Sequence, residues 1–376
     1  MEMFQDTNES ANAVSAEPSQ APRTEAGAVR AEYDRLRRGI ALRSDTGITQ
    51  FRISGPGALE LVNRLVISDV ARLPIRKMMS TLMLRPDGSV LADAYVVNRG
   101  GDYLLLADGG SPVELMDGIE SGADQGPAVS MEDLSVRESL VSLDGPFSWE
   151  LLKELLGMEI LGLRYLEVMA DREIAGVPVS VYRAGTTGEF GYWLGLPADR
   201  QPEVIGALME AGRRYDLGTY GSKVHELAKL ENRYLNPRRE GAAARNPLEL
   251  NGRIMVSRDK GDYVGRAAVE QALSSGPQRR LIGITVEPSP AGETAVPPIG
   301  AVVQHEDQQI GTVVNAGFSF TLGQPIALAL MDVDHAYVGL DYAVGGTTAR
   351  TVSAPFIFNR SLGIRFQEHS YFDQGQ

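Results

Sequence analysis

The sequence predicts an α+β chain of two α/β units followed by an all-β domain, either a barrel or a sandwich. Three observations carry that reading. A strand that runs into Gly-Pro and then an amphipathic helix occurs twice, at Ile53-Ser54-Gly55-Pro56 before 58–65 and at Leu143-Asp144-Gly145-Pro146 before 149–156. Beyond Arg280, short β-rich runs separated by Gly, Pro and Asp replace the helical periodicity. At 376 residues, with 43% hydrophobic and 23% charged side chains, the chain has the length for two or three domains and the composition to bury their cores.

In chain order, residues 1–27 hold few large apolar side chains and read as a disordered tail. Tyr33, Leu36 and Ile40 recur at helical spacing and place a short helix over 32–42. A strand then closes at Gly55-Pro56, and 58–65 form a compact helix. Residues 79–84 and 90–97 read as strands joined by the turn Pro86-Asp87-Gly88, with a third strand at 103–106. After the second Gly-Pro unit, 201–215 and 222–234 have helical periodicity. The run of Ser, Gly, Gln and Arg over 274–280 marks a domain boundary, which gives the divisions 28–273 and 280–376. Strands are expected at 280–286, 301–303, 309–314, 326–331 and 349–352.

Charge and composition exclude several functions. A net charge of −13 opposes nucleic acid and anionic lipid, which would repel the chain before any specific contact formed. With no cysteine there is no disulfide, thiolate nucleophile or Fe–S cluster. His225, His305, His335 and His369 lack metal-ligand spacing, so no metal site is expected. No apolar run is long enough to span a bilayer, and the first residues lack the order of a signal peptide, so the expected location is the cytoplasm.

Two acids stand out. Glu189 is the only carboxylate in the loop Tyr182-Arg183-Ala184-Gly185-Thr186-Thr187-Gly188-Glu189-Phe190-Gly191, where the glycines allow close approach of a backbone or a flat ring. Presented that way, a carboxylate accepts two parallel N–H bonds from an aminopyrimidine or pterin; the same residues also suit a tight hairpin with a surface Glu. Asp93 sits alone in the apolar strand Val90-Leu91-Ala92-Asp93-Ala94-Tyr95-Val96-Val97, so it either reaches a donor or faces a cavity.

Arg183-x-Gly185-x-Thr187-Gly188-Glu189-x-Gly191 resembles the folate-binding loop of the glycine-cleavage T-protein (aminomethyltransferase) family. Four further segments follow in that family's order: the strand with Asp93, Pro247-Leu248-Glu249, 259–266 (Asp-Lys-Gly-Asp-Tyr-Val-Gly-Arg), and 321–329 beginning Thr-Leu-Gly-Gln. The resemblance implies a T-protein-like fold, with two α/β folate-binding subdomains around a central cleft and a C-terminal β domain. It implies tetrahydrofolate as the cofactor, with Asp93 as the catalytic acid beside folate N5 and N10. It places Glu189, Asp108, Arg183 and Tyr182 at the folate. Partners are then a small-molecule one-carbon donor or acceptor, with a carrier protein left open.

Departures from the family pattern fall on the same wall. Ser44-Asp45-Thr46-Gly47-Ile48 replaces Asp-Val-Ser-His-Met-Gly, Ser80 a tyrosine, and Asp108 an asparagine. His225 stands at the place of the arginine that holds the folate tail, and is read as a second catalytic residue, a proton shuttle near neutral pH. Ala92 stands where the first acid of the family's Asp-Asp pair lies, so Asp93 is expected to lack a like-charged neighbour. These changes favour transfer of a methyl, methylene or aminomethyl group in a specialised pathway. The alternatives are glycine cleavage itself and a non-catalytic folate binder of the iron–sulfur maturation type. The latter's defining cysteine is Asp262 here, and no Gly-x-Gly-x-x-Gly supports a flavin oxidase.

Overall fold

The computed structural model describes residues 21–123, 128–287 and 295–373. Helix α1 (Ala21–Arg38) leads into β1 (Ala41–Arg43), the first strand of one sheet. The chain then leaves that sheet to build a second from β2 (Thr49–Ser54), β3 (Met78–Leu84), β4 (Val90–Asn98), β5 (Asp102–Asp108) and β6 (Ser130–Asp133), in the order β3-β4-β5-β2-β6. It returns with β7 (Glu138–Asp144), β8 (Val168–Ile174), β9 (Val177–Tyr182), β10 (Gly191–Pro197) and β11 (Gly218–Thr219), completing the order β11-β1-β7-β10-β9-β8. The second sheet is therefore one continuous segment inserted between β1 and β7, and the first is built from chain on both sides of it.

The helices α2 (Ala58–Leu65), α3 (Pro112–Ala123), α4 (Ser148–Leu156), α5 (Gln201–Gly212), α6 (Ser222–Asn232) and α7 (Arg266–Ser275) complete the two units. The repeated Gly-Pro element proves to be one turn used twice. Gly55 (φ 104°) and Gly145 (φ 122°) end β2 and β7, and an added Cβ would lie 2.7 Å from Ala128 O and 2.4 Å from Gly39 O. The Gly55 and Gly145 carbonyls accept the first helical N–H behind them, from Ala58 and Ser148. No side chain fits at either position, which is why glycine stands at both.

The barrel alternative for the C-terminal domain is the one realised. Strands β12 (Arg279–Val286), β13 (Val302–His305), β14 (Gln308–Ser319), β15 (Gln324–Asp332), β16 (Asp341–Val344) and β17 (Thr347–Val352) close because β12 pairs with both β15 and β17. Of these, β16 has no counterpart in the sequence reading. Residues 1–20 of the expected tail lie outside the described residues, and the rest of it is corrected: 21–27 form the first turns of α1. The helix runs on to bury Tyr33 and Leu36, and Ile40 packs in the core just past its end. Among the described residues, no helix is long and apolar enough to cross a membrane.

Strand β4 lies between β3 and β5, inside its sheet, and is buried on both faces. Because successive side chains alternate, Ala92, Ala94 and Val96 pack under α2 and α3, while Tyr95 and Val97 turn the other way. There they meet Leu140, Tyr182 and Trp193 of the first sheet. Asp93 shares the parity of Tyr95 and so belongs to this inter-sheet face.

Candidate functional site

Two chambers meet at Asp93 and Tyr95. One is lined by Arg43, Ser142, Asp144, Thr186, Trp193, His225 and Asp108 besides that pair, and its own side chains nearly fill it, leaving about 20 Å³. The other keeps about 210 Å³ and is bounded by Tyr165, Tyr234, Arg233, Glu240, Leu250 and Ile254. It opens to solvent at Tyr165 and Ile254, which are 52% and 94% exposed. Tyr95 packs edge-on against Trp193, with ring centroids 5.0 Å apart.

Asp93 is 6% exposed, and no described side chain hydrogen-bonds its carboxyl. Burial pushes its pKa up to about 7; Lys229 pulls it down and Asp108 pushes it further up. Asp108 is the cross-strand partner of Asp93 on β5, so the like-charged neighbour expected to be missing comes from the next strand instead of the preceding residue. The weaker base foreseen for Asp93 is corrected accordingly. Asp108 itself is engaged: Lys229 Nζ donates to one oxygen (2.7 Å) and Arg238 Nη1 to the other (2.8 Å). Burial opposes its ionisation, but these two cations outweigh it and hold the carboxyl below its ordinary range.

His225 lines the polar chamber, but a shuttle near neutral pH is corrected by its surroundings. Arg43 Nη1 lies 2.7 Å from Nδ1, and Thr186 Oγ1 lies 2.9 Å from Nε2. A guanidinium only donates, so Nδ1 accepts and Nε2 carries the proton toward Thr186. Burial, then Arg43 and Lys229, push the pKa down to about 3, leaving a neutral imidazole with both nitrogens occupied.

Glu189, expected to anchor a pterin, is engaged within the fold instead. It is 8% exposed and absent from both chambers. Its carboxylate accepts the backbone N–H groups of Arg360 (3.3 Å) and Ser361 (2.9 Å) and the Ser361 hydroxyl (2.6 Å), with Arg37 at 3.5 Å. The paired N–H donors expected from a pterin are supplied by the chain's own C-terminal segment. Arg37 also donates to Thr187 O (2.7 Å) and Glu231 (2.6 Å), which ties α1, the loop and α6 together.

Arg183 and Tyr182, expected at the folate, line neither chamber. The Arg183 guanidinium lies over Phe190 and Tyr192, at 4.7 and 4.4 Å from the ring centroids, and donates to Gly191 O (2.8 Å), closing the hairpin from within. Tyr182 is buried between the sheets, where burial pushes its hydroxyl up to about 12. Gly185 and Gly191 approach face to face under Asp144, so the close contact foreseen for a ligand is one of backbone on backbone.

Sequence reasoning missed Asp144, Arg43, Lys229 and Trp193. Asp144 is fully buried; Tyr220 Oη donates to it (2.8 Å), as do Ser142 and Thr187, and burial pushes it up to about 6 against those bonds. Its signal was the one that exposed Asp93, an acid in an apolar strand, but the Gly-Pro after it drew attention to the turn.

An interleaved pair of α/β units, a barrel behind them and a buried carboxyl at the cleft between the sheets define a class of two-module cleft proteins. Comparison with known proteins places the chain within it. Residues 5–260 match the GCVT N-terminal domain and 279–357 the glycine cleavage T-protein C-terminal barrel domain, so the chain belongs to the GCVT family. The aminomethyltransferase of Streptomyces avermitilis is 30% identical over 334 residues, covering 84% of this chain and 88% of that protein. That of Moorella thermoacetica is 29% identical over 330 residues, covering 86% and 88%. The crystal structure of glycine cleavage system aminomethyltransferase T from Bartonella henselae superposes with a TM-score of 0.76 at 20% identity, over 88% of this chain and 90% of that one. The fold is thus T-protein-like.

Proposed function

We propose that this chain is a cytoplasmic, tetrahydrofolate-dependent transferase that moves a methyl, methylene or aminomethyl group to or from a small molecule. The observation that supports this most is Asp93, a buried carboxyl left without a side-chain partner, with its pKa near neutrality, at the meeting point of two chambers. Such a group is about half protonated at pH 7, so it both takes a proton from an amine and returns one.

The residues suit the folate. A carboxyl without a side-chain partner, a chamber of about 210 Å³ and the aromatic walls of Tyr95, Tyr165 and Tyr234 match a flat ring bearing N–H donors. Bound there, tetrahydrofolate would supply a secondary amine as the one-carbon acceptor. The protein's own part is to position and to manage one proton. Tyr95 and Trp193 fix the floor beside Asp93, and the Lys229–Asp108–Arg238 chain holds Asp108 ionised so that Asp93 is the acid that changes state.

The nearly filled polar chamber and the engaged Glu189 favour a substrate other than a carrier-bound lipoyl arm. Aminomethyl transfer, which the names of the relatives state of those proteins, is carried to this chain on an identity of about 30%. Incubation with tetrahydrofolate and a panel of one-carbon donors, followed by mass analysis of the folate, tests the proposal. A 5-methyl product identifies demethylation and a 5,10-methylene product identifies aminomethyl or hydroxymethyl chemistry. No folate product and no folate binding would overturn it.

A further inference from the structure

Arg233 occupies a position that the backbone suits to glycine. It caps the C-terminus of α6 in the left-handed region (φ 58°), with its N–H bonded to Leu230 O at 3.2 Å. A side chain there costs about 1 kcal/mol, which is why glycine is the usual residue at such a cap. Strain of this kind is tolerated where the side chain has work elsewhere.

That side chain lines the tyrosine chamber that Asp93 also lines. Among the described residues no carboxylate lies within ion-pairing distance of the guanidinium, and its hydrogen bond is a long one, 3.5 Å to Leu281 O. Glu240, on the same wall, is engaged elsewhere: its oxygens accept the Asn236 N–H (2.7 Å) and the Asn315 amide (3.0 Å), and burial raises its pKa. Asp93 is likewise held toward its neutral form by burial. The chamber therefore contains a partly buried cation with no carboxylate at ion-pairing distance among the described residues; Glu240, the charge that acts on it from the same wall, is hydrogen-bonded to Asn236 and Asn315. Tyr165 and Tyr234 add two hydroxyls to the same wall, hydrogen-bonded to each other.

We propose that Arg233, with the Tyr165 and Tyr234 hydroxyls, is a carboxylate-binding subsite, so that one ligand of this chamber is a carboxylic acid whose reactive end points toward Asp93. A guanidinium with no competing carboxylate offers two parallel N–H donors to such a group. The carboxylate has two sources, a small one-carbon donor of the amino-acid type or the glutamyl tail of folate. The choice between them rests on the folate-dependent reading above; the subsite does not.

The test uses the full chain and the variants Arg233→Gly and Arg233→Lys, titrated calorimetrically with glycine, N-methylglycine, the methyl ester of each, tetrahydrofolate, and tetrahydropterin lacking the tail. If the donor supplies the acid, the parent binds at least one free amino acid better than its ester. Arg233→Gly then weakens that ligand tenfold or more, Arg233→Lys recovers part of it, and both folate compounds are unchanged. If the tail supplies it, Arg233→Gly weakens tetrahydrofolate tenfold and leaves tetrahydropterin alone.

Because glycine relieves the backbone, the melting temperature of Arg233→Gly stays level or rises while binding falls, an outcome that a purely structural arginine would not give. The subsite is overturned if every affinity is unchanged in Arg233→Gly, or if esters and tail-less pterin weaken as much as the acids. Parent protein that binds acids through Arg233 but no folate compound would keep the subsite and remove the folate-dependent reading.

Discussion

Glu189 and Asp93 are both acids in apolar surroundings, 8% and 6% exposed, yet they do opposite things. Glu189 accepts two backbone N–H groups and a hydroxyl and faces Arg37, so its charge is fully answered within the fold. Asp93 has no side-chain donor and looks into two chambers. Burial alone does not separate a structural carboxylate from a chemical one. In this pair the partners do: Glu189 is hydrogen-bonded and ion-paired within the fold, whereas Asp93 has no side-chain donor and keeps its carboxyl facing the chambers.

Exchanging each acid for its amide sharpens that contrast. Asp93→Asn keeps the shape and removes the proton acceptor, so turnover with any donor the parent accepts should fall by about 10² or more while folate affinity holds. Its stability should move the other way. The folded pKa of Asp93 lies above the unfolded value, so its contribution to stability is full below about pH 4 and is lost as the pH rises through 7. Denaturant melts should therefore find Asp93→Asn more stable than the parent at pH 8, by on the order of 2 kcal/mol, with the gap closing by pH 4. Equal stability at both pH values would break the comparison.

Glu189→Gln should do the reverse. It turns one accepting oxygen into a donor facing backbone N–H groups and removes one of the two carboxylates paired with Arg37, which should cost about 1.5 to 3 kcal/mol of stability. Folate affinity of the folded variant should stay within about threefold of the parent, as titration calorimetry would check. A tenfold loss in a fully folded sample would return Glu189 to the site. The smallest effect is expected from His225→Gln. With a pKa near 3 the imidazole does not change charge between pH 5 and 9, so the variant's pH–rate profile should keep the parent's inflections. A lost inflection would restore the shuttle.

Local patterns were legible in the sequence and distant partners were not. The span 58–65 was readable as a helix because amphipathic spacing and a Gly-Pro start agree there. Asp93 was readable because an acid is costly in an apolar strand wherever that strand lies. The start of α1 was not, since its first turns lack large apolar residues, and β16 is only four residues long beside two glycines. The glycine-laced loop revealed where the Glu189 carboxylate is held but not what meets it, because Arg360 and Ser361 lie 171 and 172 residues away. His225 misled for the same reason: its pKa is pushed down by burial in the fold and then by Arg43, 182 residues distant. Arg233 gave no signal, as a positive φ leaves no trace in residue identity when the residue is not glycine.

The account turns on the ionisation of one carboxyl, which carbon-13 NMR reads without knowledge of the donor. In protein labelled at aspartate side-chain carbons, the resonance that disappears in Asp93→Asn should titrate with a midpoint near pH 7, well apart from the exposed aspartates. A midpoint near pH 4 would mean that Asp93 is an ordinary ionised residue at neutral pH, and would contradict its assignment as the group that carries the proton.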